Sequence, residues 1–353
     1  MRKVKHTELE RLIEICYERK VALYVWGAVG IGKSDTIKQA SKALAKKLKL
    51  EFSDIDIQDG KFGFVDVRIS QLDPSDLRGL PTFHDGQTKW LPPSWLPSNP
   101  KGKGIIFFDE LNLAPPSIQA AAYQLILDRR IGDYKLPEGW VIVAAGNRAE
   151  DNPKVFELPA PLLNRFIHAE LQVPGVEDWT NWALLNGIDS RIISFLNVRP
   201  SMLFKFDLRN KDKSFPTPRS WEFVSKLIKD ETDDELIGMC VASAVGEGCA
   251  AEFEGFCKLS RKIDIDKIFK NPASVSEIKE IDLKYNLTSI VAEKYKQDKK
   301  LLPKVFAICE HLDPEFAVLQ IRYARAANPE KWLSDVQKEP RWTDFMKKYG
   351  KYL

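Results

Sequence analysis

Eight consecutive residues at positions 27–34, Gly-Ala-Val-Gly-Ile-Gly-Lys-Ser, constrain the fold of this 353-residue chain more than any other segment. They match the pattern GxxxxGK[ST], in which a glycine-rich loop points successive backbone N–H groups at phosphate oxygens. An apolar run at residues 21–26 precedes the loop, and apolar residues at helical spacing follow it at residues 36–48. A strand, this loop and a helix in that order predict a phosphate-binding site at the N-terminus of the helix.

The loop supplies side chains as well as backbone groups. Lys33 is expected to reach the β- and γ-phosphates of a nucleoside triphosphate, and the Ser34 hydroxyl is expected to ligate Mg²⁺. The guanine-specifying pattern Asn-Lys-x-Asp does not occur in the sequence, which favours ATP as the nucleotide. The predicted nucleotide-binding residues are Gly27, Ala28, Val29, Gly30, Ile31, Gly32, Lys33, Ser34 and Asp35.

Four further apolar runs have strand character, at residues 64–69, 105–108, 140–145 and 167–173. Near-continuous apolar runs are typical of a parallel sheet that is covered on both faces. Helical patterns lie between some of the runs, and a capping-box pattern at residues 7–10 predicts the start of an N-terminal helix. The order predicts a three-layer αβα domain with a parallel sheet.

Polar residues follow two of the buried strands. Asp109 and Glu110 end the run at 105–108, where ligands bind in open α/β sheets. We expect Asp109 to hold Mg²⁺ through the water shell of the ion, and Glu110 to orient and deprotonate the attacking water. Asn147 follows the run at 140–145 and has an amide that can bond both that water and the γ-phosphate. By itself, an asparagine at this place is more typical of a turn, and only the combination with the other motifs favours the catalytic role.

Two arginines lie outside these motifs. Arg165 directly precedes the last predicted strand, and Arg219 follows Thr-Pro at the start of a helical region. Guanidinium groups are permanently charged and bidentate, which suits them to stabilising a phosphoryl transition state. Taken alone, either arginine is typical of a protein surface.

The order of these motifs resembles that of AAA+ ATPases, and the segments at residues 73–81 and 109–121 resemble the MoxR-like group more narrowly. The resemblance implies that Asn147 is sensor 1, that Arg165 is a finger inserted into the neighbouring subunit's site, and that Arg219 is sensor 2. It also implies a hexameric ring and a partner with a von Willebrand factor A domain. Residues 84–95 and a hairpin at residues 130–137 would contact a protein client that the ring remodels or helps to mature.

The strand patterns fade after a polar segment that begins at residue 208, and helical patterns follow. We therefore predict an AAA+ nucleotide-binding domain at residues 1–208, a helical lid at 209–280 and a C-terminal helical extension at 281–353. The net charge of +3 gives no support for nucleic acid or a membrane as a partner. The five scattered cysteines, without a CxxC pair, and the lack of a signal-peptide pattern fit a cytoplasmic protein.

Two other functions fit parts of the same sequence. One is a nucleic-acid-linked NTPase motor of a restriction or phage system, which the near-neutral charge and the lack of a DNA-binding motif disfavour. The other is a nucleotide-gated scaffold that binds ATP and barely hydrolyses it. Glu110, Asn147 and Arg165 disfavour the scaffold, because a protein that does not hydrolyse ATP needs no lytic base.

Overall fold

The computed structural model describes residues 1–54, 60–151, 154–207, 212–259 and 262–352. Packing divides the chain into two compact units, Met1–Val173 and Pro174–Leu353. The first contains the β-sheets, and the second is built from helices.

The main sheet of the first unit has seven strands, all paired in parallel, in the order β1-β11-β2-β10-β7-β4-β3. The strands of this sheet are β1 (Arg2–Val4), β2 (Leu23–Trp26), β3 (Glu51–Ser53), β4 (Lys61–Arg68), β7 (Lys103–Asp109), β10 (Trp140–Gly146) and β11 (Ile167–Leu171). Strand β10 lies between β2 and β7, so the chain segments that follow these three strands meet at one edge of the sheet.

Helices cover both faces of this sheet. The helices of the first unit are α1 (His6–Arg19), α2 (Lys33–Lys47), α3 (Pro74–Arg78), α4 (Pro116–Asp128) and α5 (Ala160–Leu163). Helix α4 shares a core with Ile106 and Phe108 of β7. Their neighbours Ile105 and Phe107 point to the opposite face and are fully buried as well, and α2 contacts β7 and β4. The predicted three-layer αβα fold with a parallel sheet is therefore confirmed, followed by a helical region.

The first unit also contains two antiparallel hairpins. Strands β5 (Leu80–His84) and β6 (Gln87–Leu91) form one, and β8 (Arg130–Ile131) and β9 (Tyr134–Lys135) form the other. Gly79, which precedes the first hairpin, has φ +85°, and an added Cβ would lie 1.8 Å from the backbone oxygen of Leu91. Glycine is therefore required at the base of this hairpin, directly before β5.

The start of helix α1 differs from the prediction. The capping-box pattern placed the helix start at Thr7, but the N-cap is Lys5, whose backbone N–H donates to the Glu8 carboxylate at 2.8 Å. Two edge strands, β1 and β3, also carry no apolar run and were not predicted.

The second unit contains two hydrophobic clusters. Phe195, Trp221 and Phe253 lie in the first cluster, and Phe306 and Phe316 lie in the second. Its helices are α6 (Val176–Leu185), α7 (Ser190–Val198), α8 (Pro218–Leu227), α9 (Asp234–Val245), α10 (Glu247–Leu259), α11 (Ile265–Lys270), α12 (Ile281–Gln297), α13 (Leu302–Cys309), α14 (Pro314–Ala327), α15 (Trp332–Val336) and α16 (Arg341–Tyr349).

Helices α6 and α7 precede residue 208 and pack in the second unit. The three-domain division with limits at residues 208 and 280 stays a prediction, and residues 208–211 of the expected linker lie outside the described residues. Along the described part of the chain, no helix combines the length and apolar character needed to cross a bilayer.

Candidate nucleotide-binding site

The glycine-rich loop connects the end of β2 at Trp26 to the start of α2 at Lys33. Gly30 and Gly32 have φ values of +74° and +92°, in the left-handed region that favours glycine. The loop also packs closely, because a Cβ on Gly27 would lie 2.8 Å from the Ile31 side chain. The sequence therefore produces a tight loop directly before the N-terminus of a long helix, where backbone N–H groups are unpaired within the helix.

Lys33 is the central cation of this site. Its side chain is only 9% exposed, and Nζ donates to the backbone oxygens of Gly27 and Ala28 at 2.8 Å each. A third hydrogen bond runs from Nζ to Asn147 Oδ1 at 3.0 Å. A buried ammonium group needs such acceptors, since burial of an unpaired charge is costly. The bond places Asn147, which follows β10, directly beside the glycine-rich loop.

Ser34 and Asp109 meet at the neighbouring position. The Ser34 hydroxyl donates to Asp109 Oδ2 at 2.9 Å, although the two residues lie 75 positions apart in the sequence. The other carboxylate oxygen of Asp109 accepts the backbone N–H of Glu110 at 3.0 Å. Both oxygens of Asp109 are thus oriented by hydrogen bonds.

Glu110 adopts a left-handed backbone conformation with φ +56°. Such a conformation is uncommon for a residue other than glycine and is found at functional sites. Ser70, which follows β4, donates to Glu110 Oε2 at 3.2 Å. The two neighbouring carboxylates therefore have different partners, as expected if one holds a metal ion and the other acts on water.

Asn147 is held through its backbone as well as its side chain. Asn112 Nδ2 donates to the Asn147 carbonyl at 2.7 Å, and the Asn147 N–H donates to Asn112 Oδ1 at 3.2 Å. The buried side chain of Asn112 thus connects the segment after β7 to the segment after β10.

Arg148 lies next to Asn147 but contacts carboxylates. Its guanidinium group donates to both oxygens of Asp151 and, at 2.9 Å, to Glu170 on β11. The hydrogen bonds with Asp151, and then with Glu170, raise the pKa of Arg148 above its ordinary value. Arg148 therefore braces the loop that follows Asn147.

Arg165 is exposed in the short connection between α5 and β11. Within the described residues its guanidinium group makes no ion pair with this chain. His168 holds the adjoining turn: its Nδ1 accepts from Trp26 Nε1 at 3.1 Å, and its Nε2 lies 2.8 Å from the Leu163 carbonyl. Because an indole N–H only donates and a carbonyl only accepts, His168 carries its proton on Nε2.

Arg219 belongs to the second compact unit. It is exposed in the first turn of α8, after Thr217, whose hydroxyl caps the helix by accepting from Ser220 N at 3.0 Å. Pro218 occupies the first turn, where its missing N–H costs nothing.

The residues present fit a magnesium nucleotide. Mg²⁺ prefers oxygen ligands, and the Ser34 hydroxyl and the Asp109 carboxylate lie side by side, with Oγ and Oδ2 2.9 Å apart. These two groups would hold the ion. Lys33 and the N-terminus of α2 supply the positive groups that a triphosphate requires.

Three residues of this site were missed by the reading of the sequence. Ser70 and Asn112 are described above, and the third is His6, whose Nε2 donates to the carbonyl of Ile31 in the glycine-rich loop at 2.8 Å. All three act on a residue distant in the sequence. For Asn112 a signal was available, since a polar residue between Leu111 and Leu113 directly after the acidic pair is unusual for a buried segment.

Comparison with known proteins gives only distant likenesses. No protein-family model and no curated protein matches the chain. Among solved structures, NtrX from Brucella abortus is similar at 13% identity over 98% of this chain and 67% of its own, with a TM-score of 0.35. A mutant of RuvB from Thermotoga maritima is similar at 13% identity over 94% of this chain and 86% of its own, with a TM-score of 0.33.

PCH-2 from C. elegans is similar at 12% identity over 71% of this chain and 65% of its own, with a TM-score of 0.34. Structural similarities with TM-scores this low do not support a conclusion about function. The functional argument therefore rests on the geometry around Lys33, Ser34 and Asp109.

Proposed function

We propose that this chain is an ATPase of the AAA+ class that hydrolyses ATP with Mg²⁺ at the interface between neighbouring copies of itself. The observation that carries the proposal is the convergence at one sheet edge of Lys33, the Ser34–Asp109 pair and Glu110. These groups come from two segments that lie 75 positions apart in the sequence, and each has a specific task in phosphoryl transfer.

The contacts of each residue indicate its role in ATP hydrolysis. Lys33 and the loop N–H groups bind the phosphates, while Ser34 and Asp109 would hold Mg²⁺, which would offset the phosphate charge. Glu110, oriented by Ser70, takes the proton of the attacking water. Asn147 donates from its amide to oxygen atoms at the reacting phosphate.

We assign Arg165 to the site of the neighbouring subunit. It is exposed and free of ion pairs in its own chain within the described residues, so its charge is available to another molecule. A finger supplied by a neighbour makes hydrolysis depend on assembly. The hexameric ring, and Arg219 as a second sensor, rest on the resemblance to AAA+ ATPases.

The finer function that we propose is that of the MoxR-like group: remodelling or maturation of a protein client together with a partner that has a von Willebrand factor A domain. The hairpin β5–β6 supports a contact with such a client. It exposes Leu80, Phe83 and Leu91, and Phe83 is 89% exposed. Exposed apolar side chains that lie close together are typical of binding surfaces.

The test is ATP hydrolysis by the wild type and by Glu110→Gln across a range of protein concentrations, with size analysis of the same samples. We expect specific activity to rise with assembly, and Glu110→Gln to bind ATP without hydrolysing it. Equal specific activity in monomer and assembly would refute the shared site. ATP binding without hydrolysis in the wild type would instead indicate a nucleotide-gated scaffold.

A further inference from the structure

Asn112 lies in a short 3-10 helix (Leu111–Leu113) that follows the acidic pair, and its side chain is only 2% exposed. Its amide makes two hydrogen bonds, and both go to the backbone of Asn147: one to the carbonyl at 2.7 Å and one from the N–H at 3.2 Å. A side chain that pairs with both backbone groups of one residue fixes the position of that peptide more firmly than a single bond does.

The packing around Asn112 and Asn147 leaves just enough space for this contact. A Cβ on Gly146 would lie 2.4 Å from Asn112 Oδ1 and 2.0 Å from the Tyr24 hydroxyl. Glycine at the end of β10 therefore allows the Asn112 side chain to approach the backbone of the next residue. The backbone carbonyl of Asn112 also makes a hydrogen bond, because it accepts the Phe156 N–H at 2.7 Å.

The chemistry of the contact requires an amide. It needs one donor and one acceptor at the end of a short side chain, which only asparagine provides at this length. Aspartate has nearly the same shape but would place a carboxylate oxygen against the Asn147 carbonyl, where no donor exists. Serine is too short to bond both groups.

The consequence for the reaction runs through Asn147. The side chain of Asn147 bonds Lys33, and its backbone is fixed by Asn112, which itself follows Glu110 by two residues. A shift of the Asn147 peptide would change the distance of its amide from both Lys33 and the reacting phosphate. An error of about 1 Å in such positioning can cost about a hundredfold in rate.

We propose that Asn112 is a positioning residue for ATP hydrolysis, which holds Asn147 in place beside Lys33. The proposal rests on the proposed ATPase function. Asn112 is buried and its amide is engaged by the Asn147 backbone, so it acts through Asn147. Its loss is therefore expected to lower kcat more than it weakens ATP binding, which depends mainly on the loop and Lys33.

A double-mutant cycle tests this role, with kcat and the Kd for ATP measured for Asn112→Asp, Asn147→Ala and the double variant. We expect Asn112→Asp to lower kcat about tenfold or more, with the Kd within about threefold of the wild type. In the Asn147→Ala background, Asn112→Asp is expected to have no further effect on kcat. Multiplication of the two effects, or an unchanged kcat in Asn112→Asp, would overturn the proposal.

The control is Asn286→Asp. Asn286 is also 2% exposed and donates to two backbone carbonyls, but it lies in the helical unit. It reports what loss of a buried amide does to the protein in general, and a fall in kcat equal to that of Asn112→Asp would make the effect of Asn112 merely structural. If Asn112→Asp does not fold, Asn112→Ser enters the same cycle.

Backbone hydrogen exchange gives a readout that does not depend on hydrolysis. The Asn147 N–H donates to Asn112 Oδ1, so Asn112→Ser should speed its exchange at least about tenfold, while the N–H groups inside β10 keep their protection. Unchanged exchange at Asn147 would refute the role of Asn112 in holding the Asn147 backbone. A wild type that does not hydrolyse ATP would refute the proposed function, and the exchange result would still decide whether Asn112 holds Asn147.

Discussion

Gly146→Ala is the perturbation whose effect follows most directly from the structure. The added Cβ would lie 2.0 Å from Tyr24 Oη and 2.4 Å from Asn112 Oδ1, well inside normal contact distance. Neither neighbour can move into solvent, since both Tyr24 and Asn112 are buried. The methyl group must therefore displace the Tyr24 ring, the Asn112 side chain or the end of strand β10.

The expected cost has two parts. Overpacking a dense core costs about 1–3 kcal/mol. Displacement of Asn112 also loses one or both of its hydrogen bonds with Asn147, each worth about 1 kcal/mol. We therefore expect Gly146→Ala to lower the free energy of unfolding of the first unit by about 2–5 kcal/mol.

Denaturant unfolding of the whole chain, with hydrogen exchange to assign the transition to the first unit, measures this change. Tyr24→Phe in the same chain removes the atom at 2.0 Å, so the double variant should recover part of the loss. Gly255→Ala is the matched control, because nothing lies within 4 Å of its added Cβ. A loss below about 0.5 kcal/mol in Gly146→Ala, the usual range of a surface change, would refute the reasoning.

Two further substitutions and one chemical modification have defined outcomes. Ser70→Ala removes the hydrogen bond to Glu110 and should lower kcat about five- to tenfold with little change in ATP affinity, as measured by steady-state hydrolysis and equilibrium binding. Arg165→Ala should lower the hydrolysis rate of assembled protein about 10³-fold or more, and mixing it with Glu110→Gln should restore part of the activity if the arginine acts in the neighbour's site. Burial raises the pKa of the Cys16 thiol to about 11, so its alkylation at pH 8 should be slow in the folded protein and fast in denaturant, as followed by mass spectrometry.

The sequence predicts the centre of the sheet well and its edges poorly. Strands β2, β7 and β10 are buried on both faces and so appear as apolar runs. The edge strands β1 (Arg2–Val4) and β3 (Glu51–Ser53) are three residues long and partly exposed, so no hydrophobic pattern marks them. Their pairing depends on neighbours that are distant in the sequence.

The same distinction applies to the site. Lys33 and Ser34 belong to a contiguous motif whose spacing encodes their task, and Asp109 ends a strand that the pattern locates. Ser70 and Asn112 resemble ordinary polar residues after a strand, and only the parallel pairing of β4, β7 and β10 brings them to Glu110 and Asn147. A motif encodes contacts with the nucleotide, whereas contacts among the site's own residues are set by strand order.

The contacts of Asn147 also determine which end of its amide can act on a nucleotide. The ammonium of Lys33 has only donors, so the atom that faces it at 3.0 Å must be the amide oxygen. The backbone N–H and carbonyl of Asn147 are both taken by Asn112. The amide nitrogen is then the group with which Asn147 can bind another molecule, and it is a donor. A donor held beside Lys33 suits an oxygen anion or the lone pair of a water molecule, which are the species that phosphoryl transfer brings there.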